Sequence, residues 1–149
     1  MSRPRRHSPQ ARRAGTEHRS DCPISIALEL VGDPWSLLVV RDAVYNGPRT
    51  FNDFLNAGEG VATNVLADRL QRLEAFDILS KHRDARDRRR FVYRLTAKGI
   101  DLAPVLVELA LWSARHEKTA APAATLRKMR ENRERYVEGL RRAWEKSGR

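Results

Sequence analysis

Asn64, Asp68 and Gln71 fall at three- and four-residue steps, so a helix through them brings all three, with Ala75, onto one face. These groups are suited to base edges. A side-chain amide can bond adenine through two hydrogen bonds, a carboxylate accepts from the amino group of cytosine, and the Ala67 methyl beside them fits the thymine methyl. Thr63 and the free N–H groups of such a helix suit a phosphate, while Arg72 flanks the polar set. The opposite face carries Leu66, Leu70 and Leu73 and is expected to be buried. Arg69 projects nearer that side, where it would pack and pair. Taken singly, each polar residue reads as solvated surface, so the case for base recognition rests on what surrounds this helix.

A second chemistry belongs to Cys22, the only cysteine among 149 residues. It precedes Pro23 at the start of an expected helix, where partial positive charge favours the reactive thiolate. The alternative is a small buried hydrophobe. With no second cysteine, an intrachain disulfide is impossible and a reducing compartment is the natural setting. His7, His18, His82 and His116 are widely spaced and form no ligand set with Cys22, so no metal or cofactor is expected. No phosphate-cradling glycine loop or nucleophile elbow is present, and catalysis is not expected.

The net charge of +10 is focused. Residues 1–20 hold six arginines against Glu17, and residues 81–94 hold seven cations against Asp84 and Asp87, a net +5 in each stretch. The remainder balances. Arginine in such concentration matches phosphate oxygens, so nucleic acid is the expected partner, with a solubilising surface as the alternative. No apolar run approaches a membrane span, and the N-terminus has no apolar signal core, so a cytoplasmic, nucleoid-associated location is expected.

Several elements are required to hold these groups. Residues 1–20 are aperiodic and read as a disordered basic arm. Pro23 opens a helix with an Ile24, Ala27, Leu28, Val31 stripe that ends at Gly32. Asp33 caps a second, largely apolar helix that stops at Gly47-Pro48. Thr50 caps a short third helix with Asp53 in its first turn. A loop with Gly58 and Gly60 leads to the leucine-backed helix. Ile78–Arg83 and Arg90–Leu95 read as strands, with Phe91, Tyr93 and Leu95 alternating inward. Thr96 caps a further helix through about Glu117, kinked at Pro104, with Leu102, Val105, Leu106, Leu109 and Trp112 as its apolar side. One last helix follows Pro122, its apolar seam interrupted at Arg133.

Helix, helix, short helix, helix and a hairpin with a charged tip is the winged helix-turn-helix order. The chain is therefore mainly α with a β wing. In this arrangement the helix from Thr63 enters the major groove. Thr63, Asn64, Ala67, Asp68 and Arg72 are then the expected groove contacts. Arg49 and Asn52 would touch phosphate near the short helix, and Arg86, Arg88 and Arg89 would touch phosphate or the minor groove from the wing. Sparse aromatics among the basic positions favour double-stranded DNA over single strands. A basic RNA- or ribosome-associated winged helix without thiol sensing, or one that binds acidic proteins, are the alternatives.

"CPISIALELVGDPWSLLVVRDAVYNGPRTFNDF", "VATNVLADRLQRLE" and "VYRLTAKGIDLAPVL", in this order, resemble the HxlR-type bacterial winged-helix regulators over roughly Cys22 to Trp112. The resemblance implies an operator-binding homodimer, usually a repressor. It implies a dimer interface built from the first and last family helices, here the Ile24–Val31 and Leu102–Trp112 stripes. Some members use a cysteine at this place to sense quinones, aldehydes or hypochlorite. The effector itself is not implied. Three features depart from the family. Ala62 stands where serine often caps the helix, leaving Thr63 to substitute. Asp77 stands where glycine is usual, and aspartate tolerates the left-handed backbone. The wing lacks the usual short proline-containing form and is richer in arginine. These readings divide the chain into an arm (1–20), a winged-helix domain with its dimerisation helices (21–117) and a helical extension (118–149) expected to reinforce the dimer.

Overall fold

The computed structural model describes residues 18–148, so most of the expected arm lies outside the described residues. Its last residues turn back onto the first helix: His18 Nδ1 lies 3.0 Å from Glu29 Oε2, and the Arg19 N–H donates to Glu29 Oε1 at 3.0 Å.

Helix α1 (Pro23–Val31) ends at Gly32, and α2 (Pro34–Asn46) begins two residues later at 80° to it. Asp33 enforces the restart. Its carboxylate accepts from the N–H groups of Trp35 and Ser36, and Pro34 occupies the first turn, where its missing N–H costs nothing. Gly47, at φ 72°, closes α2 in a backbone region that side chains disfavour. Thr50 and Asp53 form a reciprocal capping box on the short α3 (Phe51–Leu55). After the glycine turn, α4 (Thr63–Ala75) buries Leu66, Leu70 and Leu73 as its spacing predicts. Asp77 then adopts φ 57°, and the Ile78 N–H donates to the Leu73 carbonyl at 2.9 Å, closing the helix end.

The hairpin strands β2 (Leu79–Arg83) and β3 (Phe91–Leu95) pair antiparallel, with Leu79 opposite Leu95 and Arg83 opposite Phe91. A third strand, β1 (Arg49–Thr50), joins the far edge of β3 with Arg49 opposite Tyr93, giving the order β1-β3-β2. The leucines of α4 meet Val40 and Ala43 of α2, Phe54 of α3, and Tyr93 and Leu95 of β3 in one core. Phe54 meets Tyr93 edge-on at 6.2 Å.

Two expectations are corrected in the C-terminal half. The single kinked helix from Thr96 is two helices, α5 (Ala97–Ile100) and α6 (Ala103–His116). Pro104 lies in the first turn of α6, the one place where a helix accepts proline without bending. The last helix is also two, α7 (Ala123–Glu131) and α8 (Arg133–Ser147). Asn132 separates them with an extended backbone, and its side chain accepts from the Arg135 N–H to cap α8.

The apolar face of this extension, expected to reinforce a dimer, is occupied within its own chain. Met129 packs with Val107 and Leu111 of α6 in a second cluster, and Trp144 packs against the main core. The Trp144 indole N–H donates to the Leu95 carbonyl at 2.9 Å, and the Arg94 guanidinium donates to the Ser147 carbonyl at 3.0 Å. Arg141 pairs with Asp101.

Candidate nucleic-acid interface

Thr63, Asn64, Ala67, Asp68, Gln71 and Ala75 are all exposed on α4, opposite its buried leucines. The helix starts without a side-chain cap: Ala62 has no acceptor, and Thr63 does not take over that role as expected. Its first-turn N–H groups therefore meet no side-chain oxygen, and an uncapped N-terminus attracts anions. Asp68 accepts from the Arg69 guanidinium at 2.7 Å. Arg69, as its position predicts, turns away from the polar face, its Nε 3.0 Å from Asp33 Oδ1. Burial pushes the Asp33 carboxyl up. The Ser36 hydrogen bonds and the Arg69 charge outweigh this and hold it below the usual carboxylate range. One carboxylate thus starts α2 and ties α4 to it.

Arg72 is not brought to this face. Its guanidinium donates to the Glu29 carbonyl at 3.2 Å and lies 5.9 Å from the Phe76 ring, so it joins α4 to α1. Sequence analysis expects it in the groove with Asn64; the structure instead turns its guanidinium toward α1. A carbonyl 43 positions earlier in the chain captures it.

Around α3, Asn52 is exposed while Arg49 is half-buried, with its Nε lacking a hydrogen-bond partner. The backbone N–H of Thr50 lowers the Asp53 carboxyl below its usual range, helped by the Thr50 hydroxyl and by the charges of Arg49 and Arg90. Asp53 thus sits between a β1 cation and a wing cation.

The wing tip shows how its two carboxylates are used. Asp84 Oδ1 accepts from the N–H groups of Arg86 at 2.7 Å and Asp87 at 3.3 Å, and Asp87 Oδ1 accepts from the Arg89 N–H at 3.1 Å. The Arg86 N–H bond, the strongest of these influences, holds Asp84 below the usual carboxylate range. Both aspartates therefore shape the turn, and Arg86, Arg88 and Arg89 point their side chains outward, Arg89 with 92% of its side chain exposed. Behind the tip, Lys81 and Arg83 lie 4.2 and 4.1 Å from the Phe91 ring. Sequence reading assigned Phe91 to the core alone. The register of Arg83 opposite Phe91 makes that ring a support for basic side chains, and only strand pairing reveals it.

The four cations of residues 21–80 face nine carboxylates, so the helical head is itself acidic. The wing stretch, residues 81–94, opposes this with seven cations against two carboxylates, and residues 95–149 add twelve against seven.

Cys22 is exposed at the N-cap of α1, where no side-chain cap forms. Next to it the expected stripe divides: Ile24 and Leu28 are 70% and 58% exposed, while Val31 enters the core. On α6, Val105, Leu109 and Trp112 are likewise exposed, whereas Ala103, Val107 and Leu111 are buried against the chain itself. Two apolar helix faces are left on the surface. Among the described residues no single helix is long and apolar enough to cross a membrane.

A family model described as HxlR-like helix-turn-helix matches residues 30–121, from the end of α1 to the loop before α7. The HTH-type transcriptional regulator sll1512 of Synechocystis is 34% identical over 88 residues, which are 59% of this chain and 64% of that protein. The chain thus spans less than two thirds of that relative's length. The crystal structure of PA1607 is 31% identical with a TM-score of 0.62, over 70% of this chain and 72% of its own. The reduced form of the transcriptional regulator YodB from Bacillus subtilis is 26% identical with a TM-score of 0.54, over 65% and 95% of the two chains.

Proposed function

This chain belongs to the HxlR-like helix-turn-helix family, and from that membership we propose that it is a transcriptional regulator, a repressor that binds a short pseudo-palindromic DNA operator as a homodimer. The observation that carries this reading is the exposed face of α4, where Thr63, Asn64, Ala67 and Asp68 stand beside an uncapped helix start. A major groove about 12 Å wide admits one such helix. Asn64 reads a base, and Thr63 with the free N–H groups holds a phosphate. Asn52 and Arg49 touch the backbone near α3, and Arg86, Arg88 and Arg89 grip it from the wing. The exposed Ile24, Leu28, Leu109 and Trp112 supply the dimer seam, which removes their apolar surface from water. The working location is the cytoplasm, at the nucleoid.

Selection of bound duplexes from a random library tests the base-reading face. Wild-type protein is expected to enrich one pseudo-palindrome, and Asn64→Ala to weaken it by about 1–3 kcal/mol relative to single-base variants at the position it reads. An unchanged preference in Asn64→Ala removes the placement of α4 in the groove.

We further propose that Cys22 is the sensing residue, by alkylation or oxidation at the start of α1. Its exposure supports this, as does the related YodB, which has a quinone-bound structure. Quinone treatment is expected to release DNA from wild type but not from Cys22→Ser. An equal response in both rejects the idea.

A further inference from the structure

The last turn of α2 and the α7–α8 hairpin border an open surface groove of about 600 Å³, within the range of small-molecule sites. All its lining residues but Tyr45 lie past residue 121, beyond the family-matched span. Two phenols meet across it, the hydroxyls of Tyr45 and Tyr136 being 3.5 Å apart. Lys128 and Arg135 flank them, and among the described residues neither has a carboxylate partner within 4.0 Å; Glu131, the one carboxylate that lines the groove among the described residues, is turned to Arg127 at 3.9 Å, which leaves the two cations in excess. Asn132 places the start of the fifteen-residue helix α8, with its partial positive charge, at the same edge.

Gly139 gives an independent indication. It lines the groove in the middle of α8, where glycine is among the poorest helix formers. A Cβ built there meets nothing within 4 Å, and no positive φ requires glycine. Its missing side chain leaves open space in a groove that Tyr45 and Tyr136 also line.

We propose that this groove binds a small aromatic carboxylate. The ring lies over Gly139 against the phenol faces, as offset or edge-on aromatic pairs do. The carboxylate takes charge-assisted hydrogen bonds from Arg135 and Lys128. This site stands apart from the DNA reading, because it requires no nucleic acid to fill.

Calorimetric titration of the full chain with benzoate tests it, with benzamide and acetate as comparisons lacking the charge and the ring. Benzoate is expected to bind saturably, at least tenfold tighter than either comparison. Arg135→Gln and Gly139→Leu are each expected to weaken benzoate about tenfold or more. Gly139→Leu should melt no lower than wild type, because it improves the helix while it fills the groove. Arg135 is exposed, so its loss leaves folding intact. Absence of saturable benzoate binding, equal binding of benzamide or acetate, or undiminished binding by both folded variants overturns the proposal.

Discussion

Replacing Arg86, Arg88 and Arg89 together by glutamine isolates the contribution of the wing tip. The turn is held by Asp84 and Asp87 through backbone N–H groups, and these bonds survive the change. Among the described residues, only one of the three side chains has a partner, Arg89 with Asp87 at 3.3 Å, and at 92% exposure that pair contributes little to stability. Folding stability is therefore expected to stay within about 0.5 kcal/mol of wild type. DNA binding is a different matter. Each phosphate contact contributes about 0.9 to the slope of log affinity against log salt, so losing three flattens it by about 2.7. Between 50 and 200 mM salt, the wild type then loses about 40-fold more affinity than the variant does. Fluorescence anisotropy with a labelled duplex across a salt series measures both slopes, and a urea melt checks the fold. The expected pattern is a shallower slope with unchanged ranking of duplex sequences. An unaltered slope, or a changed ranking at constant slope, refutes the assignment of these arginines to phosphate.

Two further outcomes concern the scaffold. Gly99→Ala places a Cβ 2.2 Å from the Ile78 carbonyl oxygen and 2.8 Å from Leu95 Cδ2. Because backbone at the wing base must move, a loss of about 2–3 kcal/mol is expected, read as a lower urea midpoint at constant slope. Asp53→Asn keeps an acceptor for the Thr50 N–H but removes the charge from the capping box, and should destabilise the protein by up to about 1 kcal/mol at neutral pH. The folded-state carboxyl titrates below its unfolded value, so its contribution is full above about pH 4 and is lost as pH falls through the lowered value. The stabilities of wild type and Asp53→Asn should therefore converge in acid.

Local signals carried most of the reading head. The leucine spacing of α4, the Asp33 cap and the Thr50–Asp53 box depend on residues within four positions, and the structure forms each of them, while the left-handed Asp77 follows from the family resemblance. What stayed hidden depends on distant partners. Two-residue β1 exists only because β3 presents an open edge to it. Arg72 was assigned by helical angle to the polar face, yet its long side chain reaches a carbonyl of α1. Proline at 104 was weighed as a kink because sequence does not say where the preceding helix has already ended. The break at Asn132 was visible only as an interruption at Arg133, and the folding back of α8 depends on an indole reaching the β3 backbone.

That indole, with the guanidinium of Arg94, fastens the root of the hairpin to the last helix. The base of the flap is thus tied to a helix that starts almost forty residues further along the polypeptide. A fragment trimmed to residues 30–121 would retain every proposed DNA-touching residue and still lose the brace that aims three of them. In this molecule the tail works as a tiller.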